Sequence, residues 1–292
     1  MSVLRSKDVN INGINWRAKA EIYDNTNEVV RDCQTRPVRL NKYRLESVSP
    51  DFHGVRSYEE ALEFLRNGYQ PVVERLRSSL KVMPTEYKSI VSVVNSHQGF
   101  VPSVPLALKN LPNSMLDMQY NFPKHKVLDV YYDMTASCST EPEQFIKAGK
   151  VLLETIMLLE RSGYKFNLYG VQTYCQKGNC TGDLDFFCVK IKSSDKPFDL
   201  KRMSYPLTHP SFFRVIGFDW QGKSPITRDV GSMRGMGLYY LFHNLSEPTR
   251  IAQAMFGDNA FYISCAQIIK AEWTTDEVKA VFSNVGTKTK AS

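Results

Sequence analysis

The clearest pattern of apolar and polar positions lies between Lys126 and Cys175. An apolar run at 127–132 predicts a strand that is buried on both faces of a parallel sheet. A long apolar-rich segment at 143–161 predicts a well-buried helix, and a β-rich run at 166–171 predicts a second strand. Together these segments predict one strand–loop–helix–strand unit with a right-handed crossover.

Strand-like and helix-like segments continue to alternate after this unit. Apolar runs predict strands at 184–191, 214–220 and 259–270, and helical patterns fall at 248–256 and 274–284. Alternation of strands and helices is typical of the α/β class. We therefore predict an α/β domain over residues 124–292.

The first part of the chain has weaker patterns. Residues 1–55 hold few long apolar runs, so we expect an N-terminal arm or irregular extension. Residues 56–123 predict a helical region followed by a proline-rich connection. Within it, Ser57 and Glu60 form the pattern of a capping box, which predicts a helix that starts at Ser57.

Composition and charge narrow the classes of protein. The 292 residues are 42% hydrophobic and 23% charged, as in ordinary globular proteins. No run of 18 apolar residues occurs and the N-terminus lacks the pattern of a secretion signal, so we expect no membrane span and a cytosolic location with reduced cysteines.

The formal net charge of +7 leaves two interpretations open. The basic clusters are short, which favours a charge that is spread over the surface and aids solubility. The alternative is a nucleic-acid-binding protein, because the segment from Glu28 to Arg44 holds five basic residues. These are Arg31, Arg36, Arg39, Lys42 and Arg44.

The strongest candidate for chemistry is the loop that follows the 127–132 strand. Asp133, Thr135 and Ser137 alternate there, beyond the carboxyl end of a strand where α/β sheets bind ligands. One carboxylate and two hydroxyls suit a hard cation such as Mg²⁺. The alternative is an ordinary turn, because Asp, Thr and Ser form turns and helix caps by themselves.

The residues from Asp133 to Ser137 resemble the metal-ion-dependent adhesion site of von Willebrand factor A-type domains. The resemblance covers roughly residues 126–220, about a third of the chain. It implies a mostly parallel, doubly wound sheet in which Asp133, Thr135 and Ser137 hold Mg²⁺, whose open position takes a carboxylate of a partner protein. The family also uses a distal Thr and a distal Asp, for which the candidates are Thr173, Thr208, Thr227 and Asp229.

A second resemblance covers more of the chain. The segments 57–68, 101–116 and 136–164 are similar to uncharacterised proteins that tailed phages encode. This resemblance implies a phage or prophage source, and therefore a location in the host cytoplasm or the virion. The expected partner is a phage assembly component or a host protein, including a defence protein, and the chain itself is a candidate for homo-oligomer formation.

Other candidate chemistry is weaker. Cys175, Cys180 and Cys188 could hold zinc, but their spacing is unusual and no matching His is evident. Cys138 precedes a predicted helix N-terminus, which would favour its thiolate, although no His base can be placed beside it. Because no acid–base pair or nucleophile can be assembled, we expect a non-enzymatic binding protein.

Overall fold

The computed structural model describes residues 2–39, 48–80, 90–121, 126–178, 181–227, 235–236, 242 and 245–288. Within these residues, ten strands form two separate sheets. The strands are β1 (Val3–Ile11), β2 (Ile14–Tyr23), β3 (Ile90–Ser96), β4 (Val101–Pro102), β5 (Met115–Asn121), β6 (Lys126–Asp133), β7 (Tyr164–Gly178), β8 (Thr181–Lys192), β9 (Gly235–Met236) and β10 (Ala260–Ser264).

The helices of the described residues vary from one turn to twenty residues in length. They are α1 (Thr26–Thr35), α2 (Pro50–His53), α3 (Tyr58–Asn67), α4 (Gln70–Leu80), α5 (Val104–Ala107), α6 (Pro142–Arg161), α7 (Leu200–Thr208), α8 (Phe218–Lys223), α9 (Ser246–Phe256), α10 (Cys265–Lys270) and α11 (Thr275–Lys288), with a π-helical segment at Phe212–Gly217. As predicted, Ser57 caps α3: its hydroxyl accepts from the Glu60 amide at 3.1 Å. The strand predicted at 214–220 is wrong, because this stretch is helical.

The main sheet is mixed. Its strand order is β1-β2-β8-β7-β6-β10, with the short β9 beside β7. The pairs β2–β8, β7–β6 and β6–β10 are parallel, whereas β1–β2, β7–β8 and β7–β9 are antiparallel. The sheet curls into a half-barrel. The prediction of a mostly parallel, doubly wound sheet of the von Willebrand A kind is therefore wrong.

Two antiparallel strand pairs explain the difference. Asn12 and Gly13 join β1 to β2 with φ angles of 53° and 79°, which is the positive-φ pair that a two-residue type I′ turn requires. β7 and β8 also pair antiparallel, and only residues 179 and 180 separate the two members of their last pair, Gly178↔Thr181. Parallel strands need a long crossover connection, so neither pair can belong to a doubly wound arrangement.

The N-terminal segment is also more regular than predicted. β2 lies inside the main sheet, parallel to β8, and β1 forms the sheet edge beside it. The helix α1 begins after Asn25, whose side chain accepts from the Glu28 amide at 3.1 Å. The expectation of an irregular N-terminal region is therefore wrong. From Asn15 to Ala20, fully buried positions of β2 alternate with exposed or half-buried ones, as in a strand with one face on the core.

The strand–loop–helix–strand unit is confirmed. β6 and β7 pair in parallel from Lys126↔Tyr164 to Asp133↔Val171, and α6 connects them. Alternate residues of β6 serve two hydrophobic cores. Val130 and Tyr132 join the core beneath α6, whereas Tyr131 joins the core that α9 covers on the other face.

The second sheet is small and antiparallel, with the order β3-β5-β4. It pairs Asn95 with Leu116 and Leu116 with Val101 across its three strands. The one-turn helix α5 follows β4. From residue 93 to residue 117, where burial is described for this sheet, no residue is buried. The part of the small sheet whose burial is described therefore lies outside both hydrophobic cores.

Candidate functional site

The Asp133 carboxylate at the end of β6 lies in a closed network. Its Oδ1 accepts from the Thr135 amide at 2.9 Å and from the Thr135 hydroxyl at 2.6 Å. Its Oδ2 accepts from the hydroxyls of Thr173 and Tyr262, each at 2.5 Å. Asp133 and Thr173 are fully buried and Thr135 is 1% exposed. Four donors within the chain satisfy the carboxylate.

Burial dominates the electrostatics of this carboxylate. Removal from water raises the pKa of Asp133, and the hydrogen bonds from Thr135, Thr173 and Tyr262 offset the rise only in part. Burial and the nearby Asp133 charge also raise the pKa of the Tyr262 hydroxyl well above its ordinary value, so this hydroxyl keeps its proton. The network therefore joins β6, β7 and β10 through one buried acceptor.

Ser137 does not belong to this network. Its hydroxyl lies 3.0 Å from that of Ser139, and the residue is half-buried. Arg214 of the π-helical segment holds the surrounding loop through hydrogen bonds. Its guanidinium donates to the carbonyls of Ser137 and Thr140, both at 2.9 Å, and to that of Phe52 at 2.7 Å. The loop is thus fixed by its backbone carbonyls.

The structure brings together two of the three predicted metal ligands, Asp133 and Thr135, and adds Thr173 from the distal candidates. Thr208 and Thr227 donate to backbone carbonyls of Ser204 and Gln221 instead, and Asp229 lies outside the described residues. Among the residues that are described, no group of three or more His, Cys, Asp or Glu could hold a metal.

Asp133, Thr135 and Ser137 do not meet at one open point in this arrangement. The Asp133 and Thr135 oxygens are enclosed, and the Ser137 hydroxyl faces Ser139. Mg²⁺ would have to replace hydroxyl donors that already satisfy the carboxylate. The binding of Mg²⁺ stays a prediction, which a titration can test.

A serine–histidine contact was not anticipated from the sequence. The Ser211 hydroxyl lies 2.8 Å from His209 Nδ1 and 2.9 Å from the Tyr205 hydroxyl. Ser211 is fully buried and His209 is 4% exposed. Burial lowers the pKa of His209 to about 4, so the ring is neutral at pH 7. Because a substrate cannot reach this pair from solvent, it is better suited to joining α7 to the π-helical segment than to catalysis.

The predicted cysteine sites are described only in part. Cys175 and Cys188 are buried in the core that α9 covers, and Cys180 lies outside the described residues. Burial raises the pKa of Cys188 well above its ordinary value, which keeps this thiol protonated. Cys138 is exposed. The zinc site therefore stays a prediction.

The described arginines of the basic N-terminal segment form contacts with other groups of the protein. Arg36 pairs with the buried Glu21 at 2.6 Å, and Arg39 donates to the Ser224 carbonyl at 2.5 Å. Arg31 lies 3.4 Å from Asp32 and is about half exposed. Lys42 and Arg44 are outside the described residues. The arrangement at the described arginines favours a structural role over contact with nucleic acid.

A polar cleft of about 650 Å³ lies where the carboxyl end of β8 meets the start of α1. Side chains of both charges line it, and some are already engaged. Lys192 pairs with Glu160 at 2.7 Å, and Asp199 caps α7 by accepting from the Lys201 and Arg202 amides. The charged lining is Asp24, Lys190, Lys192, Asp195, Lys196, Asp199 and Arg202. This mixed lining favours no ligand of a single charge.

One face of the small sheet presents apolar side chains to solvent. Val101 is the cross-strand neighbour of Leu116, and Leu116 is the cross-strand neighbour of Asn95. Val93 lies two residues before Asn95, on the same side of β3. Val93 is 56% exposed and Val101 is 44% exposed. We call Val93, Asn95, Val101 and Leu116 the apolar sheet face. Val94 and Ser96 point to the opposite, half-buried face.

The segment beside this face is apolar as well. Exposed large side chains occur before, within and after α5, and the most exposed is Leu108 at 81%. They are Phe100, Val104, Leu108 and Leu111. Residues 93–117 contain only two formal charges, Lys109 and Asp117. Sequence reasoning treated this region as a proline-rich connection and missed the surface, although its low charge was visible.

Comparisons with known proteins give a family and no function. Among the described residues, no helix is both long and apolar enough to cross a membrane. No curated protein and no solved structure matches the chain. The family model described as "Domain of unknown function (DUF7192)" matches residues 10–289. Since this match spans nearly the whole chain, the protein belongs to the DUF7192 family.

Proposed function

We propose that this protein is a non-enzymatic protein-binding module that acts through the apolar sheet face and the adjoining α5 segment. The single observation that carries the proposal is the exposure of six large apolar side chains within residues 93–117, a stretch in which no residue is buried. Monomeric proteins rarely leave such side chains uncovered unless they bind a partner there.

The chemistry of the surface selects the class of partner. Cores of protein–protein interfaces are depleted of charged residues, and residues 93–117 hold one Lys and one Asp. Nucleic acid binds through several cations that neutralise phosphates, which this surface lacks. Full burial of one Val or Leu contributes about 1.5–3 kcal/mol, so a few of these side chains supply a useful affinity.

The interior of the protein supports the non-enzymatic part of the proposal. The Asp133 carboxylate and the Ser211–His209 pair are the groups of the described residues that most resemble catalytic chemistry, and both are enclosed. Each already has partners within the chain. Binding at the apolar sheet face also requires no Mg²⁺, so a metal-dependent mode at Asp133 would be a separate activity.

The proposed biological source rests only on the resemblance to tailed-phage proteins. On that basis the module works in the host cytoplasm or the virion. Its partner would be a phage assembly component or a host protein such as a defence protein. The partner's contact surface should be apolar and weakly charged, to match the apolar sheet face.

Site-specific crosslinking tests the proposal. A photoreactive amino acid replaces Val101, and a matched variant carries it at Ser96 on the opposite face of the same sheet. We expect position 101 to form protein adducts in cells at natural expression levels, and position 96 to form few.

Binding of the purified partner then gives the quantitative result. The Val101→Asp variant should weaken binding at least tenfold, or about 1.4 kcal/mol, while a Ser96→Asp variant changes it little. Equal adducts from both positions, or unchanged binding by Val101→Asp, would contradict the proposal.

A further inference from the structure

We infer that the apolar sheet face and the adjoining α5 segment are covered by the same surface of a second copy of this chain. The inference rests on the proposed function, because it names the partner for that surface. In a two-fold dimer each copy presents the same patch to the other, so the patch must be complementary to itself. Three properties of residues 93–117 meet this condition.

The first property is charge. The whole chain carries a net charge of +7, yet residues 93–117 contain one Lys and one Asp and are neutral overall. A patch with a net charge would repel its own copy across a two-fold axis. The neutral patch can therefore pack against its own copy without net repulsion, whereas a charged patch would instead match a partner of opposite charge.

The second property is the missing layer. A sheet is stabilised when a second layer covers its apolar face. None of residues 93–117 is buried, and none belongs to either hydrophobic core. A second copy of the same sheet, packed face to face at about 10 Å, supplies the absent layer.

The third property is area. The six exposed apolar side chains of this region range from 44% to 81% exposure. Scaled by side-chain size, they expose roughly 500 Å² of apolar surface, as large as the largest patch on a typical monomer. A standard interface buries about 800 Å² on each partner, of which somewhat more than half is apolar, so this apolar area matches the apolar part of a stable dimer interface.

Sedimentation equilibrium of the full-length protein over a range of concentrations tests the inference. We expect the wild-type protein to dimerise reversibly. The Val93→Lys variant should raise the dimer dissociation constant at least tenfold, because each dimer then buries two ammonium groups. The control, Ser96→Lys, adds the same charge to the opposite face of β3 and should leave the constant within about twofold.

A second variant distinguishes a loss of dimerisation from a loss of folding. Leu108→Lys alters a side chain that is 81% exposed, so its thermal unfolding should match that of the wild type while dimerisation weakens. A wild-type protein that stays monomeric at all concentrations overturns the inference. So does a dimer that Val93→Lys and Leu108→Lys leave unchanged.

The two proposals fail separately. If the protein is monomeric but the photoreactive group at Val101 captures a different protein whose purified form binds, the second copy is refuted and the binding surface stands. If the protein is monomeric and position 101 forms no adducts, both proposals fail. Adducts at twice the mass of the chain support both.

Discussion

Replacement of Asp133 by alanine is the sharpest test of the buried network at the end of β6. The change leaves the Thr135 amide and the hydroxyls of Thr135, Thr173 and Tyr262 without their acceptor. Each stranded buried donor costs about 1–3 kcal/mol. Relief of the buried charge offsets part of this sum, so we expect a net loss of roughly 3–5 kcal/mol.

The assay is denaturant unfolding followed by circular dichroism at pH 7. A typical domain is stable by about 5–15 kcal/mol, so Asp133→Ala should lower the midpoint strongly. The control is Ser137→Ala in the same loop, whose hydroxyl meets only Ser139 in the described network; it should change stability by less than about 0.5 kcal/mol. An Asp133→Ala protein as stable as the wild type, or an equal loss in both variants, would refute this reasoning.

The same carboxylate predicts a pH dependence. Because burial raises the pKa of Asp133 above its ordinary value of 3.8, the folded state holds this proton more tightly than the unfolded state. Its stabilising contribution is complete below about pH 3.8 and is lost as the pH rises through the folded-state pKa. The stability advantage of the wild type over Asp133→Asn should therefore shrink as the pH rises.

MgCl₂ titrations in the same assay test the metal prediction. A cation bound through Asp133 would raise the wild-type midpoint by mass action and leave Asp133→Asn unchanged. Equal unfolding midpoints of the wild type in MgCl₂ and in chelator would refute the binding of Mg²⁺ through Asp133.

Three further predictions concern the fold. Gly149→Ala should destabilise by about 1–3 kcal/mol in thermal melts, since its Cβ would lie 2.2 Å from the Leu207 carbonyl oxygen. Gly13→Ala should cost about 1 kcal/mol, because φ is +79° there although space is free. Burial raises the pKa of Glu21, but hydrogen bonds from two serines and Arg36 outweigh it and lower the pKa below 4.5. Its contribution is present above pH 4.5 and lost in acid, so Glu21→Gln should flatten the acid side of melting temperature against pH.

The sequence predicted the βαβ unit because its signals are local. The apolar run of β6, the broad apolar surface of α6 and the glycine that ends it each act within a few residues. The positions of β1, β2 and β8 in the main sheet were not predicted, because pairing between strands that are distant in the chain leaves no periodic pattern in the sequence. One local signal was overlooked: Asn12-Gly13 between alternating residues is typical of a type I′ hairpin.

The types and spacing of the residues at 133–137 predicted a cation site, whereas the structure shows a closed hydrogen-bond network around Asp133. Asp133 and Thr135 alternate as a ligand pair would, and the same spacing lets the Thr135 amide and hydroxyl close on the carboxylate. Tyr262 was invisible to sequence reasoning because it arrives from β10, 129 residues later. The apolar sheet face was missed since its prolines suggested a connection rather than strands.

Solvent access to the apolar sheet face tests the central claim most directly. In a Cys138→Ser background, which removes an exposed thiol, a cysteine replaces either Val101 or Ser96, and its alkylation rate is measured. We predict that alkylation at position 101 slows in intact cells and in concentrated protein relative to dilute protein, while alkylation at position 96 does not change. Equal rates at position 101 under all three conditions would contradict the account.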